Sequence, residues 1–379
     1  MIYLDNSATT KPYKEVLNTF IQVNESFYAN PASIHEAGVE SNTLLDRARA
    51  QMAKILRTDD RQVLFTAGGT ESNNFAIFGI AKANTHKGKH IITTEIEHAS
   101  VLESIRVLQA DGYEIDYLSV DSNGVISLQE LQEKLRKDTV LVSIMHVNNE
   151  MGAIQPIEEA AKIIHESSRA TFHVDAVQSF GKMPIYFKDD AGPDIISISG
   201  HKIHGLKGSG VIAFRKKMNI APLLLGGGQE YGLRSGTVAV PQAVALAKAA
   251  RMAVENLEQS MKKYRKWHNE LMEFLTSFGS VIHILSTPNG AAHILSFSVK
   301  DLKGEILINA LQKRGIIVST SSACSSKQKK TSHVVLALKT PPNFVNGVIR
   351  LSFGGLTTDE DIQQFKKAFT EVMKELKGE

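Results

Sequence analysis

Short apolar, β-branched runs alternate with helical patterns through the first two thirds of the chain. Val63–Thr66 and Ile91–Thr94 read as strands. Tyr113–Val120, Thr139–Val147, Phe172–Val174, Asp194–Ser199 and Val211–Phe214 continue the series. Helical stretches are predicted from about Glu71 to Ala83 and from about Ser100. Strands that alternate with helices imply βαβ units, hence a mainly parallel sheet covered on both faces. Ligands of such sheets sit beyond the carboxyl ends of the strands.

The pattern changes after Pro241. One long helical segment is predicted from about Gln242 to Phe274, a length suited to connecting two domains. Beyond it come strands at Val281–Leu285 and Ile294–Val299, a helix near Gly304–Lys313 and a strand at Val348–Phe353. Thr357 and Glu360 have capping-box spacing and open the last helix. The expected division is a large α/β domain over residues 12–255. A smaller α+β domain takes residues 1–11 and 256–379. Ser319–Lys330 is small, polar, basic and aperiodic, and reads as a mobile loop.

Composition narrows the function classes. The 379 residues carry 43 basic and 40 acidic side chains, a net +3. That balance gives no reason to expect nucleic acid as a direct partner. No apolar run reaches the roughly 20 residues needed to span a bilayer, and the N-terminus lacks a secretory pattern. The single cysteine forbids an internal disulfide and a Cys-x-x-Cys metal site. A cytoplasmic protein without a membrane partner is expected.

Several polar groups fall where strands end. Ser199-Gly200-His201-Lys202 closes one strand. A lysine desolvated at a sheet edge near positive charge loses proton affinity and can form a Schiff base. His173-Val174-Asp175-Ala176-Val177-Gln178 closes another. A carboxylate buried there needs a positive partner, or else serves as a helix N-cap. Gly68-Gly69-Thr70-Glu71-Ser72-Asn73 joins a strand to a helix. Such a turn lets backbone amides approach a phosphate, or is a tight turn capped by Thr70. Arg350 is a charge inside an apolar strand, suited to gripping a carboxylate. Cys324 lies among serines, with Lys327, Lys329 and Lys330 nearby to favour the thiolate. Gly205–Gly210 does not match a dinucleotide fingerprint, and His201 with His204 is too few for a metal site.

Taken in order, these motifs resemble the cysteine desulfurases of the NifS/IscS type, within the class V aminotransferase group. The similarity also runs through Tyr3–Thr10, Asn30–His35, Glu97–Ser100, Val147–Glu150 and Arg234–Thr237. It implies a fold type I transferase with a seven-stranded, mainly parallel sheet and pyridoxal 5′-phosphate as cofactor. On that resemblance Lys202 carries the cofactor covalently, Asp175 pairs with its ring nitrogen and Gln178 with its phenolic oxygen. His98 stacks on the ring and assists proton transfer. Gly69, Thr70, Ser199 and His201 hold the phosphate, and Thr237 reaches the phosphate of a neighbouring subunit, which implies a homodimer. Asn149 borders cofactor and substrate, and Arg350 takes the carboxylate of L-cysteine. Cys324 accepts the sulfur as a persulfide, leaving alanine.

No resident metal is implied; Cys324 could transiently ligate an iron–sulfur cluster held with a scaffold. The acceptor is open between an iron–sulfur scaffold protein and a tRNA 2-thiouridylase. The loop after Cys324 is more basic than the family pattern. The chain also stops at Glu379, without the tail some relatives use to dock a scaffold. A selenocysteine lyase or another class V enzyme would share Lys202, Asp175 and His98, and a catalytically idle sulfur carrier is the non-enzymatic alternative.

Overall fold

A computed structural model describes residues 1–188, 191–320 and 331–377. The N-terminal segment contributes β1 (Ile2–Tyr3), then α1 (Lys14–Ser26) and α2 (Glu36–Leu56). Neither helix was among the predicted elements. In α2 buried positions recur three and four apart (Leu45, Ala48, Arg49, Met52, Ala53, Leu56), which gives it one face for the core.

The large sheet follows. Its strands and crossovers are β2 (Val63–Thr66), α3 (Gly69–Asn84), β3 (His90–Thr94), α4 (Ala99–Ala110), β4 (Glu114–Leu118), α5 (Leu128–Lys134), β5 (Thr139–Met145), α6 (Ile157–Ser167), β6 (Thr171–Asp175), β7 (Ile195–Ser199) and β8 (Gly210–Phe214). The spatial order is β2-β8-β7-β6-β5-β3-β4. Only β8 runs antiparallel to its neighbours, so the sheet is mainly parallel, as its alternation of strands and helices implies. β5, β7 and β8 are buried at every residue, as expected of strands covered on both faces.

The predicted single connector is two helices, α7 (Val240–Glu255) and α8 (Leu257–Thr276). Asn256 leaves the helical conformation at φ −97°, ψ 6°, and its side chain donates to the Met252 carbonyl at 2.8 Å. Local hydrogen bonding of this kind lets asparagine end a helix that the apolar period alone would continue. Ala243, Leu246 and Ala250 of α7 join the core that holds β5–β8. Trp267, Leu271 and Leu275 of α8 join a second core.

That second core is built on β9 (Ile282–Ile284), β10 (Ile294–Val299), α9 (Gly304–Gln312), β11 (Ile316–Ile317), β12 (Val348–Ser352) and α11 (Asp359–Lys377); α10 (His333–Ala337), between β11 and β12, buries Val334 and Val335 in a separate cluster. β12-β10-β9 form an antiparallel sheet, and β1 pairs with β11. Leu4 lies in this core too, so the first residues fold with the last third of the chain. The capping box of α11 is displaced by one residue from the predicted Thr357/Glu360. Thr358 Oγ1 accepts from Asp361 N at 3.2 Å, and Thr358 N donates to Asp361 Oδ2 at 2.9 Å. The Thr357 hydroxyl accepts instead from Gly354 N, at 3.0 Å.

Apolar contacts also join the two parts. Ile96, Met145 and Met151 pack with Leu285, Val334, Val335, Leu338 and Val348, and Val147 packs with Ala291 and Ile294. This seam lies beside the carboxyl ends of β3 and β5.

Candidate active site

The carboxyl ends of β3, β5, β6 and β7 carry the predicted polar groups into one region. Asp175 is the last residue of β6 and is 5% exposed. Its Oδ1 accepts from Val177 N at 2.9 Å and its Oδ2 from Asn73 Nδ2 at 2.7 Å. Both donors are neutral. No ion pair joins Asp175 to a described residue. A buried carboxylate held only by neutral donors leaves its charge to be balanced by a bound cationic group.

Asn73, the last residue of the Gly68–Asn73 motif, connects two chemical groups. Its Nδ2 also donates to Ser100 Oγ at 2.9 Å. Ser100 Oγ lies 2.8 Å from His98 Nδ1, and Ser100 N donates to the same nitrogen at 3.1 Å. His98 is therefore the N-cap of α4, with Nδ1 the acceptor and the ring proton on Nε2. Burial lowers its proton affinity; Lys202 and His333 lower it further, against the pull of Asp175. His98 thus senses the charges of both Asp175 and Lys202, which places the three in one electrostatic neighbourhood.

Lys202 ends the short 3₁₀ turn Gly200–Lys202 that follows β7. Its Nζ donates to the Ser7 carbonyl at 2.5 Å and the Ala8 carbonyl at 2.8 Å. Gln178 Nε2 donates to the same Ser7 carbonyl at 3.0 Å, and Gln178 Oε1 is buried without a partner among the described residues. The N-terminal segment is pinned over this turn. Thr10 Oγ1 donates to the His201 carbonyl at 2.8 Å, and His201 Nδ1 lies 3.1 Å from Thr9 Oγ1. Burial, then Lys202, push the His201 imidazole down to about 4, so it is neutral at pH 7.

The glycine turn has the shape of an anion cradle. Gly68 is the N-cap of α3, with φ 152° and no side-chain cap, which leaves the first amides of the helix open. A Cβ on Gly69 would come within 2.7 Å of Val177 Cγ2 and 3.4 Å of Ser199 Cβ, so only glycine lets these walls close in. Thr70, the alternative cap, is a helical residue and is exposed. Thr237 is exposed on a separate loop. In that loop Arg234 binds Glu71 of α3 at 2.8 Å.

Arg350 is 3% exposed and already engaged. Its Nη2 pairs with Asp5 Oδ1 at 2.8 Å, and its Nη1 donates to the Asn149 carbonyl at 2.8 Å. It meets Asn149 through the backbone, and its Nε is buried without a hydrogen-bond partner among the described residues. Arg350 also pairs with Ser319 through backbone hydrogen bonds. Cys324 and residues 321–330 of the predicted Ser319–Lys330 loop lie outside the described residues. Ser332 and His333, just after them, attach to the site. Ser332 Oγ donates to Glu150 Oε2 at 2.5 Å, and His333 Nε2 lies 3.0 Å from the Glu97 carbonyl.

Glu97 is fully buried beside His98. It accepts from Met145 N at 2.8 Å and Thr94 Oγ1 at 2.7 Å. Burial pushes its carboxyl up to about 8. Among the described residues no cluster of His, Cys, Asp or Glu could hold a metal, and no helix is long and apolar enough to cross a membrane.

Comparison with known proteins decides the lineage. The family model for Aminotransferase class-V matches residues 2–365. The chain belongs to the class V aminotransferase family. A cysteine desulfurase IscS of Methanosarcina thermophila is 40% identical over 378 residues, covering 100% of this chain and 93% of the relative. A putative cysteine desulfurase IscS 1 of Bacillus subtilis is 38% identical, covering 99% of both. A solved NifS-like protein superposes with a TM-score of 0.92 at 38% identity, covering 98% of this chain and 99% of that one. SspA in complex with cysteine superposes with a TM-score of 0.83 at 31% identity, covering 94% and 100%. Members of the family depend on pyridoxal phosphate. The residues present suit it: an amine at Lys202, a buried carboxylate at Asp175 without a cationic partner, and an open helix N-terminus at Gly68–Gly69.

Proposed function

We propose that the protein is a cysteine desulfurase that converts L-cysteine to L-alanine and carries the released sulfur on Cys324. The observation behind this reading is the buried Asp175 carboxylate, held by Asn73 and Val177 and left to pair with a ring cation, in the same neighbourhood as Lys202 and His98. Lys202 would hold pyridoxal phosphate, Asp175 its ring nitrogen, Gln178 its phenolic oxygen, and Gly69, Thr70, Ser199 and His201 its phosphate. When bound, the cofactor supplies a sink for negative charge developing at the substrate α-carbon.

The chain's own groups do the rest. Arg350 and Asn149 orient the substrate, Arg350 through the substrate carboxylate. Lys202 takes the α-proton and later returns a proton. His98, neutral with its proton on Nε2, is available as a donor. The Cys324 thiolate attacks the substrate sulfur: an S–S bond forms, the C–S bond breaks, and its electron pair stays with the substrate carbon, which is then protonated. Cysteine becomes alanine and the protein thiol becomes a persulfide. Ser332 and His333, which follow the Cys324 segment in the chain, attach to Glu150 and Glu97.

The sulfur then passes to an acceptor protein, an iron–sulfur scaffold or a tRNA 2-thiouridylase, in the cytoplasm. The active form is a homodimer in which Thr237 serves the neighbouring site. Ile34, Tyr28 and Leu225, at 98, 84 and 81% exposed, are apolar side chains that a second subunit would cover. The test is to mix the purified, cofactor-loaded protein with L-cysteine. Alanine should form and Cys324 should gain one sulfur by mass. Alanine with no sulfur on Cys324, or full activity in Cys324→Ala, would overturn the sulfur-transfer step.

A further inference from the structure

The loop that leads to Thr237 begins with a strained bend. Glu230 and Tyr231 both take left-handed conformations, at φ 48° and 59°, where a side chain is disfavoured. Residues other than glycine stay there only where their surroundings hold them. Arg49 of α2 holds this bend. Its Nη2 donates to Glu230 Oε1 at 2.6 Å and its Nη1 to Glu230 Oε2 at 2.8 Å, with both side chains buried. The guanidinium also lies 5.2 Å from the centre of the Phe65 ring and 5.3 Å from that of Tyr231.

The same pair closes the sheet beside the glycine turn. β2 is the end strand, with β8 on one side. On its other side the Val63 carbonyl accepts from Arg49 Nη1, and Phe65 N donates to Glu230 Oε2 at 2.8 Å. Arg49 and Glu230 thus stand where a further strand would, just ahead of Gly68. A second pair ties the loop to the other side of the turn. Arg234 Nε and Nη2 donate to the two oxygens of Glu71 at 2.8 and 3.2 Å, and Glu71 Oε2 accepts from Ala67 N at 3.0 Å. Gly236 N donates to Gln229 Oε1 at 3.0 Å, which closes the loop immediately before Thr237. Stability alone is a poor reason for a buried ion pair, because apolar side chains often hold a fold as well. A fixed position for the loop is the better one.

Resting on the reading that Thr237 serves the cofactor phosphate of the neighbouring subunit, we propose that Arg49 and Glu230 are positioning residues that set Thr237 for that contact. They touch neither cofactor nor substrate. They fix the strained bend against β2, and the loop carries that position forward to Thr237.

The test is a double-mutant cycle on cofactor affinity. Protein freed of cofactor is titrated with pyridoxal phosphate and followed by absorbance. Thr237→Ala should weaken binding roughly tenfold or more, as for one lost hydrogen bond to a charged acceptor. Glu230→Gln keeps the side-chain shape but loses the charge and turns an amide N–H towards the guanidinium or towards Phe65 N. It should weaken binding to a similar degree. The double variant should lie within about twofold of Thr237→Ala. Arg49→Lys keeps the charge and loses the fork. It should give a smaller loss, and it replaces Glu230→Gln in the cycle if that variant does not fold. A pair that only supports the fold would lower the melting temperature and leave affinity alone, or the two single losses would multiply in the double variant. Either result overturns the proposal, as does unchanged affinity in Thr237→Ala. The titration involves no turnover. Absence of alanine formation in the unaltered protein therefore refutes the desulfurase reading and leaves the cycle to decide the role of Arg49 and Glu230.

Discussion

Replacing Asn73 with aspartate tests the arrangement around Asp175. The two side chains have the same shape, so the change exchanges one donor for a carboxylate and leaves packing alone. Asn73 Nδ2 lies 2.7 Å from Asp175 Oδ2. Two unit charges at that separation repel by about 6 kcal/mol at an effective dielectric of about 20. One of the pair therefore takes up a proton, and Asp175 shares or loses the charge meant for the cofactor ring. The link from Ser100 to Asn73 is lost as well. Asn73→Ala removes the same two hydrogen bonds without adding charge, a loss of about 1.5–3 kcal/mol for the one to the carboxylate. That corresponds to roughly 10- to 150-fold. The assay is alanine formation at saturating cofactor, alongside a titration of cofactor-free protein with pyridoxal phosphate followed by absorbance. Asn73→Asp should fall below Asn73→Ala in both. Equal or better performance by Asn73→Asp would refute the claim that a lone charge on Asp175 is what the site is built to present.

Other outcomes follow from single contacts. Lys202→Ala should bind pyridoxal phosphate without the absorbance of a covalent lysine linkage and should form no alanine. Gly69→Ala places a methyl 2.7 Å from Val177 Cγ2 and should weaken cofactor binding at least about tenfold by titration. Glu97→Gln should stabilise the cofactor-free protein at pH 8.5 and much less at pH 5. The folded state holds the Glu97 proton up to about 8, so native stability falls as pH rises between about 4.5 and 8. The loss is a few kcal/mol, and thermal melts at the two pH values would read it.

The sequence by itself determined the sheet and the chemistry at its edge. β-branched runs mark strands because they fit a doubly covered pleated surface. A lysine, an aspartate and a glycine turn at strand ends are local signals, and β7, β6 and β2 place all three at strand ends. Tertiary structure alone decided what those groups touch. Lys202 is held by carbonyls 195 and 194 residues away, and Arg350 by Asp5, 345 residues away. No periodicity records such pairs, because each depends on the N-terminal segment folding back, over the turn after β7 for Lys202 and onto β12 for Arg350. The break at Asn256 was hidden for a related reason, since apolar spacing continues through it while the two helices serve different cores.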